Sequence, residues 1–352
     1  MSPLRLLLLP VMPFYALAVW VRNRMFDANI LPSQKTQTPT ICVGNLCVGG
    51  SGKTPHVEYL IRLLKDEFKI CTLSRGYGRK SKGFVLAKEP VSAIVLGDES
   101  MQYFQKFPDI SVCVDVNRRR AIRNLETEAL ETEIVLLDDA FQHRYVDAGL
   151  KILLTDYFRP YYNDYLLPVG NLRESRSAAK RADIIVVTKC PTVFSPIVKE
   201  QILKKIKPKQ NQPVYFSYMK HGELHNLDGS VCKIDKDVFN HFVVISGIFN
   251  PYPLVEHLRG FTKDIKLFEF PDHHEFTKAE LRRIRAHFSS YFCKYKYIVT
   301  TEKDLMRLKD SPVFAEISDL PICYVPVEVE FHKDGKAEFD GHILEYVRKH
   351  TK

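Results

Sequence analysis

Apolar positions in this chain fall into short continuous runs separated by stretches with helical periodicity. Runs rich in Val, Ile and Leu cover residues 40–43, 69–73, 93–96, 112–115, 134–138, 151–154 and 183–187, and amphipathic stretches such as 56–65 and 118–129 lie between several of them. Strands apolar on both faces and spaced by helices predict a doubly wound, mostly parallel α/β sheet covered on both sides. A second group of strand-like runs, at 242–245, 265–270, 297–300 and 322–325 with a helix over 278–292, predicts a smaller α/β domain. Between the groups, the basic and proline-punctuated stretch 204–213 reads as a linker. The expected organisation is an N-terminal segment over 1–30, a main domain over 31–210 and a C-terminal domain over 211–352.

The first segment breaks this pattern. Residues 6–21 carry no charge and are bounded by Arg5 on one side and by Arg22 and Arg24 on the other. As a helix this run spans roughly 24 Å, short of the roughly 30 Å hydrocarbon core, and Pro10 and Pro13 interrupt it. The expectation is an interfacial membrane helix flanked by arginines. Ala16-Leu17-Ala18 also matches a signal-peptide cleavage site.

Composition narrows the partners. With 45% hydrophobic and 26% charged residues over 352, the chain is neither disordered nor a polytopic membrane protein. Its 51 Lys+Arg against 42 Asp+Glu leave a net +9, which calls for an anionic partner: nucleotide, phosphorylated substrate, nucleic acid or acidic membrane. Eight cysteines without a C-x-x-C pair read as free thiols of a reducing compartment.

The chemistry starts at the first strand. Ile41-Cys42-Val43 runs into Gly44-Asn45-Leu46-Cys47-Val48-Gly49-Gly50-Ser51-Gly52-Lys53-Thr54-Pro55, an apolar strand, a glycine-rich loop and a proline suited to a first helical turn. Backbone amides of such a loop wrap phosphate oxygens, the lysine reaches the terminal phosphates and the threonine hydroxyl binds magnesium. Cys47 stands where the strict P-loop pattern has its first glycine. Four apolar residues deliver Asp138 and Asp139 in the manner of a Walker-B strand, and Gly97-Asp98-Glu99 ends another apolar run with a second acidic pair. Cations follow further runs, at Arg75 and Arg79 and at Arg118-Arg119-Arg120, where a basic amphipathic face accounts for at least two of the three arginines. The clusters Arg173-Glu174 and Asp272-His273-His274 lie in loops.

These motifs, taken in order with Ser74-Arg75-Gly76-Tyr77-Gly78-Arg79, Asp138-Asp139-Ala140-Phe141-Gln142-His143, Leu172-Arg173-Glu174 and Asp272-His273-x-x-Phe276, resemble the tetraacyldisaccharide 4'-kinases, the lipid A 4'-kinases of Gram-negative bacteria. The resemblance runs from the N-terminal segment through Asp304, and Cys47 agrees with it. Three positions depart: Ala140 where glycine is frequent, Ser100 where proline is frequent, and Phe249 inside a usual Gly-x-Gly-Asn-Pro run.

The resemblance implies a P-loop NTPase-like fold and transfer of the ATP γ-phosphate, with Mg²⁺, to the 4'-hydroxyl of a tetraacylated disaccharide 1-phosphate. The setting would be the cytoplasmic face of the bacterial inner membrane, where a monomer contacts acyl-bearing lipid and the anionic surface and no nucleic acid. ATP would lie along Cys47, Val48, Gly49, Gly50, Ser51, Gly52, Lys53 and Thr54. Thr54, Asp138, Asp139, Glu174 and Glu99 are the candidate Mg²⁺ ligands, and Arg75, Arg119, Gln142, His143 and Arg173 the candidate contacts to substrate and phosphate. Asp98 would take the hydroxyl proton, assisted by His273, which Asp272 orients. Two other classes fit less well. A GTPase would need an aspartate where Pro191 follows Thr188-Lys189, and an RNA binder would need an aromatic-basic module that the dispersed lysines and arginines do not form.

Overall fold

The fold is taken from a computed structural model that describes residues 5, 7–127, 131–235, 237–248, 250–271, 274–309 and 311–351. The chain divides into two compact units, Met1–Met219 with Val329–Lys352, and Lys220–Glu328.

The first unit begins with helix α1 (Met12–Asp27) and strands β1 (Gln34–Lys35) and β2 (Thr40–Asn45), followed by α2 (Lys53–Leu64), β3 (Ile70–Ser74) and β4 (Val85–Leu86). Next come α3 (Ala93–Leu96), α4 (Asp98–Lys106), β5 (Ser111–Val114), α5 (Arg118–Thr127), β6 (Ile134–Asp138), β7 (Val146–Asp147), β8 (Leu150–Asp156) and β9 (Ile184–Thr188). Helix α6 (Pro196–Ile206) leads to β10 (Val214–His221). The second unit holds β11 (His225–Asn226), β12 (Asn240–Ser246), α7 (Tyr252–Leu258), β13 (Asp264–Glu269), α8 (Lys278–Ser290), β14 (Tyr295–Thr301), α9 (Glu302–Lys309) and β15 (Ile322–Val325). The chain then returns through β16 (Val327–Phe331) to α10 (Lys333–His350).

Among the described residues the main sheet runs β16-β10-β9-β8-β2-β6-β3-β5-β4. Pairs from β10 to β5 are parallel, and β4 closes the edge antiparallel to β5. Side-chain alternation sorts each strand between two cores. Ile41, Val43, Ile134, Leu136, Ile152, Leu154, Ile184 and Val186 point to one face with α2. Cys42, Val135, Leu137, Leu153, Ile185 and Val187 point to the other with Ala121, Ile122 and Leu125 of α5.

The division differs from the expected one. The strand after the linker, β10, joins the first sheet, pairing Val214 with Ile185. Residues 329–352 also belong to the first unit, because Phe339, Ile343 and Val347 on one stripe of α10 bury with Val329 and Phe331 against the Ile41 and Val43 face. The run 93–96, read as a strand, is the short helix α3, since four apolar residues carry no period that separates the two states.

In the second unit β12 is central, parallel to β13 and β14, with β15 parallel to β14 and β11 antiparallel at the edge. Val243 and Ile245 pack under α8 and α9, and Phe242 and Val244 under α7. Helix α8 opens with a capping box in which Thr277 and Glu280 bond each other's backbone N–H groups.

Pro13 falls in the first turn of α1, where its missing N–H costs no hydrogen bond, so the helix starts at the prolines and continues past Arg22 and Arg24. No helix among the described residues is long and apolar enough to cross a membrane. Cys42, Cys71, Cys113, Cys190 and Cys323 are buried, while Cys47, Cys232 and Cys293 are partly accessible.

Candidate active site

The glycine-rich loop leaves β2 and turns into α2 at Gly52, whose left-handed φ of 83° caps the helix without a side chain. A Cβ there would meet only the movable Met219 Cε at 2.5 Å, so it is the left-handed backbone that reserves the position for glycine. A neighbouring segment braces the loop. Val48 N donates to the Asn171 carbonyl at 2.8 Å, Arg173 N donates to the Leu46 carbonyl at 2.7 Å, and Cys47 bridges Leu172. Burial pushes the Cys47 thiol up to about 12, which leaves it a neutral packing residue in place of the expected glycine.

Beside the loop, the β2–β6 register sets Asp138 opposite Val43. Asp138 is buried, with Oδ2 accepting from the Tyr103 hydroxyl at 3.0 Å and Oδ1 buried without a partner among the described residues. Burial, followed by the nearby Glu99 and Asp139 charges, lifts its pKa to about 7. Asp139 adopts a left-handed φ of 48° and lies 3.7 Å from Lys53 Nζ, while Arg173 Nη1 donates to both its oxygens at 3.1 Å. Burial opposes its charge, yet Lys53 and Arg173 outweigh burial and hold the pKa below the usual carboxylate value. The adjacent aspartates thus sit in opposite electrostatic settings.

Tyr103, which the sequence reading did not single out, joins the two acidic pairs. It lies on α4, whose first turn carries Asp98 and Glu99, and its phenol is also hydrogen-bonded to the Thr54 hydroxyl. Buried Glu58 of α2 fixes α4 by accepting from Gln102 Nε2 at 2.7 Å and pairing with Lys106 Nζ at 2.9 Å. Gly97, just before Asp98, has φ 85° and ψ 157°, a region essentially confined to glycine, and a Cβ would lie 2.6 Å from the Tyr77 carbonyl. Ser100, one of the three departures, bonds Ser74 Oγ at 2.5 Å, and Ser74 in turn accepts from Gly76 N. Ala140, another, packs into the core beside Phe141. Phe249, Asp272 and His273 lie outside the described residues.

Among the described residues no three His, Cys, Asp or Glu side chains form a ready-made metal cage. The oxygens present still fit Mg²⁺, which binds through one or two carboxylates and fills its shell with phosphate and water. The orphaned Asp138 Oδ1 is such a donor, with Thr54 two hydrogen bonds away through Tyr103. Glu174 is set differently: its Oε2 accepts from Arg181 at 2.7 Å and from Asn23 of α1 at 3.2 Å, while Oε1 is buried without a partner among the described residues.

Cations gather on the far side of Asp139. Gln142 Nε2 donates to the Asn45 carbonyl at 2.8 Å, and its Oε1 accepts from Arg173 at 3.3 Å. Burial and then Arg118, Arg22, Arg119 and Arg75 push His143 down to about 4, so its ring is neutral, with Nε2 buried and unpartnered. Arg75 is exposed, and Arg119 lies 4.9 Å from the Tyr145 ring centroid. Arg118 is no surface residue. It is buried, donating to the Asp115 carbonyl at 2.9 Å and to the Asp138 carbonyl at 3.4 Å. Beyond His143 a cavity of about 530 Å³ has an apolar floor at Cys42 and Leu137 and a mixed charged lining, Arg144, Lys151, Lys180 and Lys209 beside Asp147 and Asp183, with Lys151 Nζ paired to Asp147 at 2.9 Å.

Fold and site together define an α/β protein in which a glycine-rich loop entering a helix faces paired carboxylates and a field of arginines. A family model described as tetraacyldisaccharide-1-P 4'-kinase matches residues 4–348, and the chain belongs to this family. Its curated relatives include the tetraacyldisaccharide 4'-kinases of Phocaeicola vulgatus, 42% identical over 98% of this chain and 96% of the relative, and of Flavobacterium johnsoniae, 42% identical over 99% of each. Among solved structures, LpxK from Aquifex aeolicus in complex with ATP matches with a TM-score of 0.74 and 28% identity, covering 99% of this chain and 100% of the other.

Proposed function

We propose that this protein transfers the γ-phosphate of ATP to the 4'-hydroxyl of a tetraacyldisaccharide 1-phosphate in lipid A biosynthesis, working as a monomer at the cytoplasmic face of the bacterial inner membrane. The observation that carries the reading is the meeting of Lys53, Asp139 and Arg173 at the mouth of the glycine-rich loop, with Asp138 and Tyr103 directly behind. Lys53 and Arg173 supply positive charge where a transferring phosphoryl group spreads negative charge over its oxygens, and Asp139 holds both cations in place.

The loop residues Cys47 to Thr54 form a P-loop-like cradle for the ATP phosphates. Thr54 and Asp138, with Glu99, Asp139 and Glu174 as further candidates, would hold Mg²⁺, which would neutralise charge on the phosphates when bound. Asp98 takes the proton of the acceptor hydroxyl, with His273 and Asp272 assisting. Its place behind the glycine-only turn at Gly97 gives the base a fixed position. Arg75, Arg119, Gln142 and neutral His143 bind the anionic acceptor.

Membrane attachment rests on α1. Its polar side faces the protein, with Tyr15 donating to the Arg173 carbonyl at 3.0 Å and Arg22 to the Gln142 carbonyl at 2.7 Å. Phe14, Leu17, Trp20 and Val21 are left exposed, at 75%, 58%, 56% and 42%. An apolar face turned outward on a helix too short to span suits the interface of an anionic bilayer.

The test is incubation of purified protein with γ-labelled ATP and the lipid A disaccharide precursor in detergent. Label is expected on the lipid, and a folded protein that transfers none overturns the reading. Asp98→Asn and Asp98→Ala are each expected to lower kcat on the order of 100-fold or more. Near-normal turnover in both, with Asp139→Asn inactive, removes Asp98 as the base.

A further inference from the structure

Thr188 and Lys189, at the end of β9, stand where a guanine-reading motif would begin, and the chemistry above uses neither. Both reach back to the glycine-rich loop. Thr188 Oγ1 donates to the Ser51 carbonyl at 2.9 Å, with the Thr155 carbonyl more distant at 3.4 Å. The Lys189 ammonium donates to the Gly50 carbonyl and, at 2.9 Å, to Asp156 Oδ2. His56, in the first turn of α2, completes the set, with Nδ1 2.7 Å from the Gly52 carbonyl and Nε2 3.0 Å from the Ser217 hydroxyl. A carbonyl only accepts, so the ring hydrogen of a neutral His56 sits on Nδ1, and Nε2 accepts from Ser217. Three consecutive loop carbonyls, those of Gly50, Ser51 and Gly52, are therefore each held by a side-chain donor.

A trans peptide unit carries its C=O and N–H in opposite directions. Drawing these three carbonyls back turns the N–H groups of Ser51, Gly52 and Lys53 the other way. The Ser51 N–H closes on the Gly49 carbonyl at 3.1 Å, which tightens the same turn. Lys189 has features of a placed residue. Its backbone sits at φ 57°, a left-handed conformation that a lysine rarely adopts. Asp156 is itself fixed, its Oδ1 accepting from the backbone of Phe158 at 2.9 Å and of Arg159 at 3.2 Å. A charged donor on the Gly50 carbonyl also polarises the peptide it belongs to, which strengthens the Ser51 N–H bond to the Gly49 carbonyl and stiffens the turn that presents the Gly52 and Lys53 N–H groups.

We propose that Lys189, with Thr188 and His56, forms a row of donors behind the loop that presets its amides for the phosphates of ATP, Lys189 being a positioning residue anchored by Asp156. The proposal rests on the reading of this loop as the ATP cradle.

The test compares Lys189→Met, Lys189→Arg and Lys53→Met in the full-length protein, reading KM for ATP, KM for the lipid acceptor, kcat, and affinity for ATP and for adenosine. Lys189→Met keeps the stem and removes the donor. It is expected to raise KM for ATP about ten-fold, to leave KM for the lipid and affinity for adenosine within two-fold, and to keep the melting temperature within a few degrees. Lys189→Arg restores most of the loss. Unchanged ATP affinity in Lys189→Met overturns the proposal. So does a loss of adenosine affinity, which puts the lysine on the nucleoside, or an equal rise in both KM values with a fall in melting temperature. If Lys53→Met also leaves ATP affinity intact, the cradle reading itself fails; if Lys53→Met loses it and Lys189→Met does not, only the donor row falls.

Discussion

The Tyr103 hydroxyl donates to Asp138 Oδ2 at 3.0 Å, and both side chains are buried. This bond joins the helix that carries Asp98 and Glu99 to the strand that runs into Asp138 and Asp139, so it ties the two acidic pairs together. Tyr103→Phe keeps the packing and removes the donor. Hydrogen bonds to charged groups contribute about 1.5–3 kcal/mol, so kcat is expected to fall at least ten-fold with little change in KM for ATP, checked by steady-state kinetics with circular dichroism as the fold control.

Gly97→Ala tests the geometry in front of Asp98. The added Cβ would lie 2.6 Å from the Tyr77 carbonyl, at a backbone conformation that alanine does not share. Expected are a loss of about 1–3 kcal/mol in denaturant unfolding, the cost of such strain, and a fall in kcat measured by steady-state kinetics.

Glu174 is 1% exposed and balanced by Arg181 and Asn23. Arg181→Met strands that carboxylate, and breaking a buried pair in this way costs about 3–5 kcal/mol. Because Asn23 sits on α1, limited proteolysis should cut the N-terminal helix faster in this variant. A cleavage rate equal to that of the parent protein removes the link between Glu174 and α1.

The outward face of α1 predicts a selective defect. Phe14→Ser, Leu17→Ser and Trp20→Ser together are expected to cut co-sedimentation with anionic vesicles at least ten-fold, since burying each such side chain contributes about 1.5–3 kcal/mol. Activity on a detergent-dispersed acceptor should stay within a few-fold. Unchanged vesicle binding refutes α1 as the anchor.

Acid should weaken the second unit through His221. Burial and then His257 push His221 from the usual 6.5 down to about 4, and the two rings stack with centroids 5.2 Å apart. Between pH 6.5 and 4 the unfolded chain binds the proton that the folded one refuses, so stability falls as pH drops through that window, by at most about 1.4 kcal/mol per pH unit for this group. Chemical denaturation of the parent and His221→Phe across pH 4–7 checks it: the slope should be shallower in the variant.

The sequence by itself determined the pieces whose chemistry is local. A tight turn into a helix needs glycines where its backbone is left-handed, and a strand buried on both faces needs an unbroken apolar run, so the glycine-rich loop 49–54 and the strand running into Asp138 were legible as text. The helix at 93–96 was not, because four apolar residues have no measurable period. Tertiary structure alone decided what depends on contacts between distant residues. It folded residues 329–352 back onto the first sheet, buried Arg118, and gave Glu174 to Arg181 and α1. It also set Lys189, 139 residues from Gly50, on a loop carbonyl. A side chain's partner across such a distance follows from sheet order and register, which no window of neighbouring residues contains.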